Sequence, residues 1–257
     1  MPTDRQPPNA PDVFRPRDVP LPEARLDSLA IVMPAYNEVR NVDAAVRKAL
    51  SVARRCATTS WVIVVDDGSR DGTREACLEV SDPSVICLRH DANRGYGAAL
   101  ATGFTEAARR AEWVFYTDAD NQFDLTEIED CLPLLRDVDA LVGFRVYRQD
   151  SVLRCMLSWA YNRLVNLLFG LSLRDVDCSF KFFRSRLLAG LRIESPDFFV
   201  DTELMAKCRR RGWRILQRGV RHYPRTAGAT TVRPSDIPRT LRTLSRMWIR
   251  IYLQKRI

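Results

Sequence analysis

Four short apolar runs, each closed by a turn of polar or small residues, constrain this chain more than any other feature: Leu29-Ala30-Ile31-Val32-Met33, Trp61-Val62-Ile63-Val64-Val65, Val85 to Arg89, and Trp113-Val114-Phe115-Tyr116. Uninterrupted runs of this length suit strands buried on both faces, the condition of a parallel sheet. Helical spacing fills the gaps. Asn41 to Arg55 places Val42, Ala45, Val46, Ala49 and Leu50 on one stripe; a second helix is expected from about Arg74 to Val80, and a third from Gly97 to about Arg110. After the fourth run, Asp124-Leu125-Thr126-Glu127 reads as a capping box for a helix to about Arg136, bent at Pro133. Alternation through residue 145 predicts an α/β fold, an open, doubly wound, mostly parallel sheet with helices on both faces. Ligands of such sheets collect at the carboxyl ends of the strands, so Tyr36, Glu38, Asp67, Asp118 and Asp120 fall in one cleft.

The richest chemistry follows the fourth run, in Thr117-Asp118-Ala119-Asp120-Asn121-Gln122. Side chains alternate along extended backbone, so Asp118, Asp120 and Gln122 can lean the same way and form an oxygen-lined pocket. Hard oxygen donors suit Mg²⁺ or Mn²⁺, whose shell is completed by water and substrate phosphates. The plain alternative is a polar turn after a strand. Gly95-x-Gly97 superficially matches a dinucleotide loop, but it follows the third strand and Leu100 stands where the last Gly or Ala belongs. His90 and His222 lack ligand spacing and read as structural.

Composition bounds the rest. At 257 residues and 46% apolar content the chain is expected to hold one main domain. Its net charge of +8 is uneven, with fifteen Lys or Arg against one acid after Leu204. That asymmetry calls for an anionic partner: nucleic acid, phospholipid or a phosphorylated substrate. Seven scattered cysteines without a Cys-x-x-Cys pair argue against a disulfide framework or a zinc site and fit a reducing cytosol. Residues 1–26 carry seven of the fourteen prolines and are expected to be a disordered leader, followed by a catalytic domain over 27–235 and a basic amphipathic helix over 236–257. No run reaches the roughly 18 uninterrupted apolar residues of a spanning helix, so the chain is expected not to cross a membrane. Val152 to Phe169 and Leu241 to Ile257 read instead as helices suited to a membrane surface.

In the motifs VMPAYNE, VVDDGSRDGT, NRGYGAALATGF, YTDADNQ, VGFR, DVDCSFKFFR, VDTELMAKCRRRGW and RHYPRTAG the chain resembles family 2 glycosyltransferases of the GT-A fold. Within them it is similar to the polyprenyl-phosphate glycosyltransferases typified by dolichol-phosphate mannose synthase. The resemblance implies that Pro34, Tyr36 and Glu38 line the donor nucleotide and that Val65 and Asp67 meet its base. It implies further that Asp118, Ala119 and Asp120 bind nucleotide and metal, with Gln122 a further metal ligand. Arg145 and Arg225 match arginines at the reacting phosphates, Arg154 and Ser158 sit where relatives hold the acceptor phosphate, and Asp175 and Glu203 match supporting positions. Asp120, Arg145 and Arg225 are thereby the catalytic candidates. One departure stands out: Thr231 occupies the place of a lysine found in the mannose synthases, with Arg233 the nearest cation.

The implied activity is inverting, metal-dependent transfer of a sugar from a GDP- or UDP-linked nucleotide-sugar donor to a polyprenyl phosphate, at the cytoplasmic face of a membrane. Two alternatives stay open: a sugar-hydroxyl acceptor, which needs a base such as Asp201 or Glu203, and a non-catalytic nucleotide-sugar or lipid-phosphate binding protein. A nucleotidyltransferase is disfavoured because no Gly- and Lys-rich phosphate loop precedes the first helix. No nucleic-acid partner is expected, since the basic tail carries no recognisable binding motif. Donor base, sugar, lipid, a homo-oligomeric state and a separate membrane-anchoring partner are left undecided.

Overall fold

The structure, a computed structural model, describes residues 24–146, 152–224 and 237–254, the side chains of 152–154 and 237–239 excepted. The described residues form one seven-stranded sheet built from β1 (Leu26–Ala35), β2 (Ala57–Asp66), β3 (Val85–Arg89), β4 (Trp113–Tyr116), β5 (Ala140–Val146), β6 (Lys181–Arg184) and β7 (Ile215–Arg221). The strand order is β3-β2-β1-β4-β6-β5-β7. Every pairing is parallel except the two made by β6, which runs antiparallel between β4 and β5. The expected open, mostly parallel α/β sheet is therefore present, with one reversed strand in its second half.

Alternation explains the layers. Leu29, Ile31, Met33 and Ala35 of β1 join one core with α1 (Val42–Cys56), while Ala30 and Val32 join a second core on the opposite face. That face is covered by α3 (Tyr96–Ala108), α5 (Val152–Phe169) and α7 (Val200–Arg210). The short α2 (Thr73–Leu78), α4 (Glu127–Cys131) and α6 (Ser185–Leu188) finish the crossovers. β1 is covered on both faces and paired on both edges, which is why its run reads as continuously apolar.

Two expectations are corrected. The capping box at Asp124–Glu127 does not form: Asp124 Oδ1 accepts from Thr126 N at 3.1 Å and from Thr126 Oγ1 at 2.8 Å, closing a turn onto the residue two ahead. A short carboxylate reaches that partner without waiting for a helical turn. The helix then ends early, and Pro133 lies in a 3₁₀ segment, Leu132–Leu135, rather than bending a longer helix.

The C-terminal helix α8 (Ile237–Trp248) continues as a π-helical turn over Ile249–Leu253. Leu244, Met247 and Ile251 are buried in the same core as α3, and the Tyr252 hydroxyl donates to the Phe169 carbonyl at 2.7 Å. Its apolar stripe thus packs on the domain. What α8 and the turn after it expose is Leu241, Ile249 and Leu253 among Arg242 and Arg246. Beside it, α5 exposes Met156, Trp159 and Leu167, the last of these 83% open to solvent. Among the described residues no helix is long and apolar enough to cross a membrane, and all seven cysteines are free thiols.

Candidate active site

Connections from β1 lead toward β2 and β3, and the chain then crosses back to β4, so strand order reverses between β1 and β4. A crevice opens above the carboxyl ends at such a reversal. Two asparagines with positive φ mark its rims, Asn37 after β1 at 55° and Asn121 after β4 at 60°. Asparagine tolerates the left-handed region because its amide bonds locally. Asn37 Oδ1 accepts from Arg70 N and Asn121 Nδ2 donates to the Asn41 carbonyl, each at 3.1 Å, so both loops are tied to their neighbours.

Asp118 and Asp120 follow β4 directly. Both oxygens of Asp118 are engaged: the Tyr96 hydroxyl donates to Oδ1 at 2.8 Å and Ser179 Oγ donates to Oδ2 at 2.6 Å. Asp120 is buried, and its Oδ1 accepts from Gln122 N at 3.1 Å. Burial first, and the Asp120 charge second, push the Asp118 carboxyl up to about 6. Two acids crowded out of water in this way are what a divalent cation relieves, so the donor set fits Mg²⁺ or Mn²⁺. Among the described residues no group of three or more His, Cys, Asp or Glu side chains could hold a metal, which leaves water and ligand oxygens to complete a shell here. The Gln122 side chain donates through Nε2 to the Tyr223 carbonyl, just past β7, at 2.9 Å.

The wall beside β2 is built from Asp67. This buried carboxylate accepts from Arg94 N at 2.9 Å, Gly95 N at 2.7 Å and His90 Nδ1 at 2.6 Å, and His90 Nε2 meets Thr102 Oγ1 at 2.9 Å. Three donors from its own chain occupy most of the carboxylate's roughly four lone pairs. Tyr36 stands 47% exposed at the crevice rim above Pro34, and Glu38 Oε2 accepts from Asn41 Nδ2 at 2.7 Å. Val65 and Ala119 have their side chains in the core, so only their backbone can meet a ligand.

Across β4 the polar groups pair with one another. Arg145 grips Asp175 through Nε at 2.6 Å and Nη2 at 2.8 Å, a fork that holds the guanidinium charged. Lys181, fully buried, donates to Asp201 Oδ1 at 2.5 Å, to the Tyr116 hydroxyl at 2.8 Å and to the Cys178 carbonyl at 2.6 Å, while Tyr116 also bonds Asp201. Glu203 accepts from the backbone N–H of Glu194 and Ser195 and pairs with Lys207 at 2.8 Å. Asp177 is different. Its Oδ1 is buried with no hydrogen-bond partner, and burial, then Asp201 and Asp175, push its carboxyl up to about 7.

The structure therefore brings Pro34, Tyr36, Glu38, Asp67, Asp118 and Asp120 to one crevice, and places Arg145 with Asp175 on the adjoining β5 side. Ser158 sits half-buried in α5, where its carbonyl accepts from Asn162 Nδ2 at 2.9 Å. Arg225 and the Arg154 side chain lie outside the described residues. Tyr96, Ser179, Asp177 and Lys181 carry polar roles that sequence reasoning did not single out. All four sit inside the quoted motifs, yet no spacing rule marks a buried lysine or a hydroxyl aimed at an acid.

Residues 30–192 match the family model for glycosyl transferase family 2. The chain is 33% identical over 202 residues to glycosyltransferase AglD of Haloferax volcanii, covering 74% of this chain and 32% of that one. It is 27% identical over 208 residues to undecaprenyl-phosphate mannosyltransferase of Micrococcus luteus, covering 77% and 84%. It thus spans about a third of the first relative's length and most of the second's. In three dimensions it is similar to glucosyl-3-phosphoglycerate synthase of Mycobacterium tuberculosis, crystallised with Mn²⁺, UDP-glucose and phosphoglyceric acid, with a TM-score of 0.65 and 17% identity over 87% of this chain and 79% of that one.

Proposed function

The chain belongs to glycosyl transferase family 2, and from that premise we propose that it transfers a sugar from a nucleotide-sugar donor to a polyprenyl phosphate at a membrane surface, with inversion at the anomeric carbon. The observation that carries this reading is the fate of the two candidate bases. Asp201 is 4% exposed and bonded to Lys181 and Tyr116, and Glu203 is 2% exposed and spent on Glu194, Ser195 and Lys207. A hydroxyl acceptor needs a base within hydrogen-bond reach. A phosphate monoester is already anionic near pH 7 and needs none.

On this reading the protein's task is alignment and charge control. Tyr36, Glu38 and the Asp67 wall orient the nucleotide, with Pro34, Val65 and Ala119 shaping the backbone around it. Asp118 and Asp120 hold the diphosphate end, where bound Mg²⁺ or Mn²⁺ supplies Lewis-acid neutralisation of the departing charge. Arg145, kept charged and oriented by Asp175, presents its remaining N–H edge to phosphate, and Arg154, Ser158 and Arg225 complete the acceptor's phosphate site. The outward faces of α5 and α8, apolar residues among arginines, supply a docking surface for anionic lipid on the cytoplasmic side.

The test is a panel of radiolabelled nucleotide sugars with polyprenyl phosphate and Mn²⁺ or Mg²⁺. Label moving into the lipid extract with release of nucleoside diphosphate is the expected result; turnover on sugar hydroxyls alone sinks the reading. Vesicle sedimentation should show loss of binding in Trp159→Glu and Leu167→Glu. The unpartnered Oδ1 of Asp177 favours one second reading, a hydroxyl acceptor deprotonated by Asp177. That version requires Asp177→Asn to abolish turnover on a hydroxyl acceptor while leaving nucleotide binding intact.

A further inference from the structure

Each of the two oxygens of Asp118 is met by a side-chain hydroxyl. One comes from the first residue of α3, the other from the segment leading into β6, on the far side of β4. Tyr96 is itself fixed at both flanks: Gly95 N donates to Asp67 Oδ2 at 2.7 Å, and Gly97 N donates to the Pro196 carbonyl at 2.8 Å. Gly95 has φ near +96°, and a Cβ added at Gly97 would collide with the Ser195 carbonyl oxygen. The Ser195–Pro196 backbone is in turn held by Glu203 through the N–H groups of Glu194 and Ser195. Tyr96 therefore hangs from a strap whose ends are pinned, one on the acid of the β2 wall and one on a loop anchored inside the protein.

Ser179 is placed as firmly. The Phe180 carbonyl next to it accepts from Gly143 N at 2.7 Å, and the Lys181 side chain folds back on the Cys178 carbonyl. A carboxylate offers about four lone pairs, and the two hydroxyls use one on each oxygen. Both oxygens are oriented and each keeps a lone pair for a ligand. A side chain so held loses no rotamer freedom when a cation arrives.

We propose that Tyr96 and Ser179 are positioning residues, whose hydroxyls set the Asp118 carboxylate in one orientation so that the divalent cation and the donor diphosphate meet a ready-made ligand. This rests on the reading of Asp118 and Asp120 as the cation- and diphosphate-binding pair. Hydrogen bonds that orient a metal ligand typically set affinity by about 10–100-fold.

The experiment is a titration of the full chain with Mn²⁺ in the presence of UDP or GDP, followed by the electron paramagnetic resonance of free Mn²⁺. The wild type should bind, Asp120→Asn should not, and Tyr96→Phe and Ser179→Ala should each bind about 10-fold more weakly with an unchanged thermal midpoint. A merely structural role for the tyrosine would instead lower the thermal midpoint of Tyr96→Phe and leave the affinity of the folded fraction unchanged. Should Tyr96→Phe fold poorly, Ser179→Ala carries the same measurement from the opposite oxygen. Unchanged Mn²⁺ affinity in both folded variants overturns the positioning role and leaves the cation reading intact. No Mn²⁺ uptake by the wild type, or undiminished uptake by Asp120→Asn, overturns both.

Discussion

The two halves of the sheet hold their acids by different means. On the β1–β3 side the carboxylates are met chiefly by backbone N–H groups of nearby loops: Asp66 takes Ser69 N on Oδ1 while its buried Oδ2 has no hydrogen-bond partner, Asp67 takes Arg94 N and Gly95 N, and Asp71 takes Val39 N and Thr73 N. On the side beyond β4 they are satisfied by buried cations, in the pairs Arg145–Asp175, Lys181–Asp201 and Lys207–Glu203. Backbone donors shape a turn and leave a net negative charge, which suits a wall that meets a nucleotide and a cation. Buried pairs cancel charge and fix register, but each becomes a liability once one partner is lost. The first half should thus bend under mutation and the second should break.

The largest expected effect is on the second half. Lys181→Met leaves Asp201 buried beside Tyr116 without a counter-charge and should destabilise the protein by about 3–5 kcal/mol in denaturant unfolding. On the first half, Asp67→Asn keeps an acceptor for the 94–95 turn but sets an amide N–H against another donor. A smaller loss, about 1–3 kcal/mol, should follow by the same assay. Equal losses in the two variants would erase the contrast.

Asp177 sharpens it further, as an acid of the second half with one oxygen unpartnered among the described residues. Its folded carboxyl is raised to about 7, above the ordinary value of 3.8, so the unionised form is favoured by folding. The sign follows: its contribution is fully present below about pH 3.8 and is lost as pH rises through about 7. Asp177→Asn should therefore raise stability at pH 8, on the order of 1–2 kcal/mol, and leave it nearly unchanged at pH 4, as read by thermal unfolding at both values. The smallest effect belongs to a surface pair on α1. Arg47 and Asp43 are 56% and 44% exposed at their side chains, and Arg47→Ala should cost less than about 0.5 kcal/mol.

Val85–Arg89 and Val152–Phe169 have the bounds the sequence predicts, because a short apolar run closed by polar residues or a long helical stretch has few alternative readings. β1 and β2 run past their apolar cores, since pairing with a neighbour extends a strand into residues whose side chains do not mark it. The reversal of β6 was not legible. Lys181-Phe182-Phe183-Arg184 is four residues long and opens on a charge, and only the fold reveals that this lysine is wholly buried against Asp201. In the site, the acids at strand ends were found from position alone, since a doubly wound sheet sends them to one crevice. Their partners were not. That Asp67 spends itself on the 94–95 turn, that Gln122 faces Tyr223, and that Tyr96 meets Asp118 across 22 residues are outcomes of tertiary packing, which no local pattern encodes.

The meeting of Gly97 with the Ser195–Pro196 backbone carries a lesson about inheritance. A side chain can enter position 97 only if that loop withdraws, and the loop can withdraw only if Glu203 releases the amides of Glu194 and Ser195. Position 97 and the segment 194–203, about a hundred residues apart along the chain, are thus bound to a common fate. In descendants of this protein they should drift together or not at all.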